Sequence, residues 1–154
     1  MKHLAIIAGR GVLPLQVANA SAGLGYKVFI FAIEGQADAA FDGFTVQSVR
    51  LGAIGQIQRQ LNKCGCSELV MVGKVAWPSL AALRPDAAAI KLLSKLVRRG
   101  DDSVLRVITQ YFAEHGITTL PVSQFLTGRI MPLGHVAGPR LDAAGETMID
   151  IGVD

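Results

Sequence analysis

Short runs of apolar residues alternate along this chain with stretches in which apolar positions recur every three or four residues, the signature of βα units around a parallel sheet. "HLAIIA" predicts a first strand over 3–8, and "KVFIFAI" a second over 27–33. Both are nearly unbroken apolar runs, as a strand covered on both faces requires. Between them, 13–24 carries helical spacing and reaches Gly23 and Gly25, residues suited to a helix C-terminus. "FTVQSVRL" alternates with period two and predicts a shorter, more exposed third strand. "IGQIQRQLNKCG" places Ile54, Ile57 and Leu61 on one helical face and ends in Gly65. "ELVMVG" predicts a fourth strand, fully buried.

A long connection follows, "KVAWPSLAALRPD", in which Pro78 and Pro85 oppose continuous helix. A third helix is expected from near Asp86 to Gly100, with Lys95, Arg98 and Arg99 at the end where cations suit the helix dipole. Asp101 or Asp102 then caps a fourth helix over 103–115, and "ITTLPV" predicts a fifth strand. Beyond Ser123 the Gly- and Pro-rich "TGRIMPLGHVAGPRLDAAG" reads as loop or linker, and "ETMIDIGVD" opens a new apolar period just as the chain stops, an ending that looks cut.

These elements predict an α/β fold, a Rossmann-like three-layer domain over 1–126 with a mostly parallel five-stranded sheet, followed by loop and the start of a linker over 127–154. Right-handed crossovers give the strand order 3-2-1-4-5. The chain then reverses direction between strands one and four, where open α/β sheets hold their ligands. The carboxyl ends of those two strands are Gly9-Arg10-Gly11 and Gly73-Lys74.

Composition sharpens this picture in two ways. Hydrophobic residues make up 51% and charged residues 18%, so the chain either buries an unusual share of itself or keeps apolar surface for a partner. Its longest apolar runs are strand-sized, short of the roughly 20 residues of a membrane span. Arg10 interrupts the opening run, which is too short for a signal peptide, and a cytoplasmic location is expected. Cys64 and Cys66 fit neither a CxxC pair nor a zinc knuckle and are expected to be reduced thiols. The net charge of +3 is scattered without interleaved aromatics, which argues against nucleic acid as a partner.

Candidate chemistry centres on the glycine turn. A GxGxxG fingerprint needs a third glycine at position 14, where this chain has Pro14. Proline suits a helix's first turn, so backbone N–H groups there can still receive an anion, whereas a dinucleotide is disfavoured. Glu34 follows the second strand at about the spacing of a ribose-binding acid. Lys74 and Arg10 are the cations placed to meet a phosphate. Asp101 and Asp102 are candidate metal ligands or, more simply, a helix cap. Trp77, Leu80 and Leu83 are candidates for an apolar wall. His3, His115 and His135 are far apart, and there is no nucleophile elbow, HExxH or GxxxxGK[ST]. No complete catalytic set is present.

Taken in order and spacing, "IAGRGVLPLQVA", "VMVGKV", "LRPDAAAIKLLSKL", "RRGDDSVLRVI" and "GITTLPVSQFL" resemble the amino-terminal half of the LpxI-type UDP-2,3-diacylglucosamine pyrophosphatases. The similarity fades after about Leu126, with Pro132, Gly134 and Asp150-Ile151 still fitting. The matching positions are Gly9, Arg10, Gly11, Leu13, Pro14, Gly73, Lys74, Asp101 and Asp102. The resemblance implies a two-domain cytoplasmic enzyme of lipid A synthesis in Gram-negative bacteria, hydrolysing UDP-2,3-diacylglucosamine to UMP and 2,3-diacylglucosamine 1-phosphate with a divalent metal, typically magnesium. It implies that the catalytic acid lies in a carboxyl-terminal domain beyond this chain, that the partner is a UDP-linked diacylated sugar, and that there is room for peripheral contact with the inner membrane and for oligomerisation. The chain departs from the family at Ala76-Trp77, where a basic residue is expected before the proline. Two other classes compete: a stand-alone nucleotide- or phosphate-binding module, and a dinucleotide-dependent oxidoreductase domain.

Overall fold

The computed structural model describes residues 2–76, 85–96 and 104–126, with backbone alone at 93–96. In chain order the elements are β1 (His3–Ala8), α1 (Leu13–Gly23), β2 (Lys27–Ile33), β3 (Thr45–Val49), α2 (Ile54–Lys63), β4 (Glu68–Val72), α3 (Ala87–Leu96), α4 (Val104–Glu114) and β5 (Thr118–Thr119), then a 3-10 turn at Val122–Gln124. The sheet runs β3-β2-β1-β4-β5 with every pairing parallel. That is the expected order, with the switch point between β1 and β4.

Because side chains alternate across a strand, the apolar runs feed two separate cores. Leu4, Ile6 and Ala8 join Ile30, Val70 and Val72 under Val17 and Ala18 of α1. Ala5 and Ile7 face the other way and join Phe31, Ile33 and Leu69 under Ile57 and Leu61 of α2 and Phe112 of α4. Three layers result. β3, at the edge, buries only Val49, in keeping with its alternating sequence.

Two expectations are corrected. β4 is not fully buried, since Glu68 and Met71 are half-buried. The fifth strand is much shorter than "ITTLPV": after Thr119 only the Leu120 N–H still reaches across, to Leu69 O at 2.7 Å. Pro121 has no N–H to continue a ladder, and the chain turns into the 3-10 segment.

Helix ends are set locally. Gly25 (φ +83°) follows α1, and the bonds Gly25 N–H to Ala22 O and Tyr26 N–H to Ser21 O form a Schellman motif. The same pair of bonds closes α2 at Gly65 and α4 at Gly116. Asp86 does unusual duty at the opposite end. Its Oδ1 accepts from Ala89 N–H at 2.9 Å, capping its own helix α3, while Oδ2 accepts from Gly55 N–H at 2.8 Å and Gln56 N–H at 3.2 Å at the start of α2. One carboxylate thus caps two helices. Asp86→Ala is expected to lower unfolding stability by about 2–3 kcal/mol, roughly two lost caps, with Asp86→Asn intermediate. Urea denaturation of the three proteins checks the order, and an Asp86→Ala protein as stable as wild type would contradict it.

Both cysteines are free thiols. Burial pushes the Cys66 thiol up to about 12, with neighbouring Cys64 adding to the shift. The folded pKa lies above the unfolded one, so the neutral thiol's contribution to stability is intact below about pH 9 and is lost as pH rises toward 12. The alkaline fall of the thermal midpoint is therefore expected to be shallower in Cys66→Ala, and parallel curves for the two proteins would refute this.

Candidate functional site

At the carboxyl edge of the sheet, backbone bonds join β1 and β4 beyond the end of their parallel ladder. Gly9 N–H donates to Val72 O at 2.9 Å, and one residue further Arg10 and Lys74 exchange both backbone bonds, Arg10 N–H to Lys74 O at 2.8 Å and Lys74 N–H to Arg10 O at 3.0 Å. This is an isolated antiparallel bridge on the end of a parallel pair. Glycine makes it feasible. A Cβ on buried Gly9 would lie 2.6 Å from Lys74 O, and one on Gly73 (φ +101°) would lie 2.8 Å from the Gly9 carbonyl carbon.

Residues opposite one another in an antiparallel bridge project their side chains to the same face, with Cβ atoms about 4.5–5.5 Å apart. Arg10 and Lys74 are both exposed, so the bridge roots two basic side chains opposite one another at the switch point. Like charges placed opposite each other destabilise the pair, and an anion between them removes that repulsion.

The glycine turn continues into α1. Gly11 has φ +101°, with open space where a Cβ would stand. Its N–H is not open to a ligand in this structure: it donates to Asp38 Oδ1 at 2.7 Å. No side chain caps α1, whose first turn holds Pro14 and no acidic residue. Pro14 is buried and fixes the turn against the sheet, whereas Val12 (68% exposed) and Leu13 (45% exposed) put apolar surface beside the two cations.

The third wall comes from the loop after β2, which the sequence pattern missed. Glu34, which stands at about the spacing of a ribose-binding acid, is engaged with the neighbouring strand: its Oε1 accepts from Ser48 Oγ of β3 at 3.3 Å. A tight turn brings Gln36 and Ala37 N–H groups onto Ile33 O, and the chain then runs back over the sheet edge. Ala37, Ala39 and Phe41 pack on the α1-side core. The alternate residues point the other way, Asp38 onto Gly11 and Gln36 onto Ala76. The Gln36 carboxamide donates to Ala76 O and accepts from Ala76 N–H, both at 3.2 Å. The alternation in "QADAAF" was the available signal, but it is shared by any solvated loop.

Of the other candidates, Val75 packs against the α2-side core. Asp101, Asp102, Trp77, Leu80, Leu83, Lys95, Arg98, Arg99 and His135 lie outside the residues whose side chains are described. His3 Nδ1 lies 2.7 Å from Cys64 O and His115 Nδ1 2.7 Å from Tyr111 O, so each ring is engaged with a main-chain carbonyl away from the switch point. Among the described residues no group of three His, Cys, Asp or Glu side chains could hold a metal, and no helix is long and apolar enough to cross a membrane.

Comparison with known proteins adds to this geometry. Among solved structures, UDP-glucose 4-epimerase from Brucella ovis in complex with NAD superposes with a TM-score of 0.47 at 12% identity, over 75% of this chain and 32% of the epimerase. WbmG from Bordetella bronchiseptica in complex with NAD and UDP gives 0.47 at 13% identity, over 74% of this chain and 34% of that one. In sequence, the UDP-2,3-diacylglucosamine pyrophosphatase LpxI of Caulobacter vibrioides is 30% identical over 154 residues, which are 98% of this chain and 54% of that protein. The chain thus spans about half the length of this curated relative. The family model of the LpxI N-terminal domain matches residues 3–129, and with most of its length so matched the chain belongs to the LpxI family.

Proposed function

We propose that this chain is the amino-terminal, substrate-binding part of an enzyme that hydrolyses UDP-2,3-diacylglucosamine to UMP and 2,3-diacylglucosamine 1-phosphate. The observation that carries the reading, beside family membership, is the Arg10–Lys74 backbone bridge, which roots two exposed basic side chains opposite one another at the switch point. A diphosphate is a ligand whose charge complements such a pair. Val12 and Leu13 supply apolar surface next to it, and each acyl methylene buried there contributes about 0.8 kcal/mol.

Hydrolysis of the diphosphate breaks a P–O bond as water attacks phosphorus. Charge grows on the bridging oxygen, and positioned cations stabilise it. Arg10 and Lys74 bind and orient the diphosphate, while Gly9, Gly73 and Pro14 hold the backbone that carries them. The group that positions the water, and the ligands of a divalent magnesium ion that would share the charge, are assigned to a carboxyl-terminal domain beyond this chain or to residues outside the described ones, Asp101 and Asp102 included. The working location is the cytoplasm, at the inner membrane surface that holds a diacylated substrate.

The test compares residues 1–154 alone with the whole protein encoded by the gene, supplied with UDP-2,3-diacylglucosamine and magnesium. The whole protein is expected to release UMP, and residues 1–154 to fold and release none. UMP release by the short protein would move the chemistry onto this chain, and none from the whole protein would overturn the proposal.

A further inference from the structure

We infer that Gln36 is a positioning residue for Lys74, acting from across the sheet. β2 and β4 are not neighbours, since β1 lies between them. The Gln36 carboxamide nevertheless pairs with the Ala76 main chain in both directions, so the loop after β2 straps over the carboxyl end of β1 and grips the loop after β4. A carboxamide offers a donor and an acceptor in one plane, as a strand's own peptide would. Ionised glutamate lacks the donor, and asparagine is one methylene short.

The segment carrying Lys74 is thus held at two points two residues apart, Lys74 by Arg10 and Ala76 by Gln36. The strap is itself anchored, because Ala37, Ala39 and Phe41 sit in the α1-side core while Gln36 and Asp38 alternate outward. Asp38 holds the glycine turn from the same strap through Gly11 N–H. Both contacts are exposed to water, which competes for them, so their main effect is on local order at the switch point and little of it reaches global stability. The main chain from which the Lys74 side chain springs is therefore held in part by a residue of another strand's loop. This inference rests on the reading of Lys74 as a phosphate-binding cation.

Gln36→Met keeps the side-chain length and removes both bonds. In the whole protein it is expected to raise KM for UDP-2,3-diacylglucosamine about tenfold while leaving kcat within about twofold and the thermal midpoint within about 2 °C. In a Lys74→Ala background the same change is expected to add nothing, the mark of coupling through Lys74. Hydrogen exchange at the Ala76 amide is expected to quicken about tenfold in Gln36→Met. A wild-type KM, full additivity with Lys74→Ala, or a fall in kcat together with the midpoint would overturn the assignment. Should the wild-type protein hydrolyse no UDP-2,3-diacylglucosamine, the proposed function fails by itself. Gln36 is then tested by Ala76 exchange and by pyrophosphate binding: unchanged exchange, or unchanged affinity, overturns its role, and loss of both protection and affinity supports it.

Discussion

Alanine at Gly73 is expected to destabilise the protein by about 2–5 kcal/mol, because it combines a left-handed backbone with an overlap that has nowhere to go. The residue has φ +101°, and its added Cβ would stand 2.8 Å from the Gly9 carbonyl carbon and 3.0 Å from Arg10 O. All the near atoms are main chain, so no flexible side chain can move aside. Two neighbouring glycines separate the two causes. Gly9→Ala meets Lys74 O at 2.6 Å and has no left-handed φ, so it carries the overlap alone, about 1–3 kcal/mol. Gly11→Ala has φ +101° and open space around it, so it carries the backbone cost alone, about 1–2 kcal/mol. Urea denaturation should rank the losses Gly73, Gly9, Gly11. Equal losses at all three positions would mean that the Arg10–Lys74 bridge does not govern the approach of β1 to β4.

Lys74→Ala, by contrast, should leave folding intact and cripple substrate use. A hydrogen bond to a charged group contributes about 1.5–3 kcal/mol, so kcat/KM in the whole protein is expected to fall about 10- to 100-fold. The sign of the stability change is the discriminating feature. Arg10 and Lys74 face the same way across a bridge, and removing one cation relieves their repulsion, so the variant should match or slightly exceed wild type in unfolding stability. The defect should also narrow as salt rises, because added ions screen the wild-type attraction that the variant has lost. A Lys74→Ala protein with wild-type kinetics would remove the cation pair from the site, and one that unfolds would make the lysine structural.

The layer order, the switch point and most element bounds were legible in the residues themselves. The strand runs at His3–Ala8 and Lys27–Ile33 are apolar on both sides because helices cover both faces, and the C-termini of α1, α2 and α4 are each marked by a glycine two residues on. The terminal strand was not legible, since "ITTLPV" has strand composition throughout and only the position of Pro121 relative to β4 ends the ladder at Thr119. Within the site, the sequence marked Gly9, Arg10, Gly11, Gly73 and Lys74 as residues near two strand ends. Only the tertiary structure decided their roles: Gly9 and Gly73 serve backbone approach, Arg10 and Lys74 become a pair, and Gly11 N–H is taken by Asp38. It also showed that Gln36 and Asp38 of the β2 loop bond to the Ala76 and Gly11 main chain, while Glu34 bonds to Ser48. Periodicity and turn chemistry are local, so a sequence expresses them directly. Which side chain a loop presents to a strand two places away depends on how three chain segments meet, and neither their residue types nor their spacing carries that information.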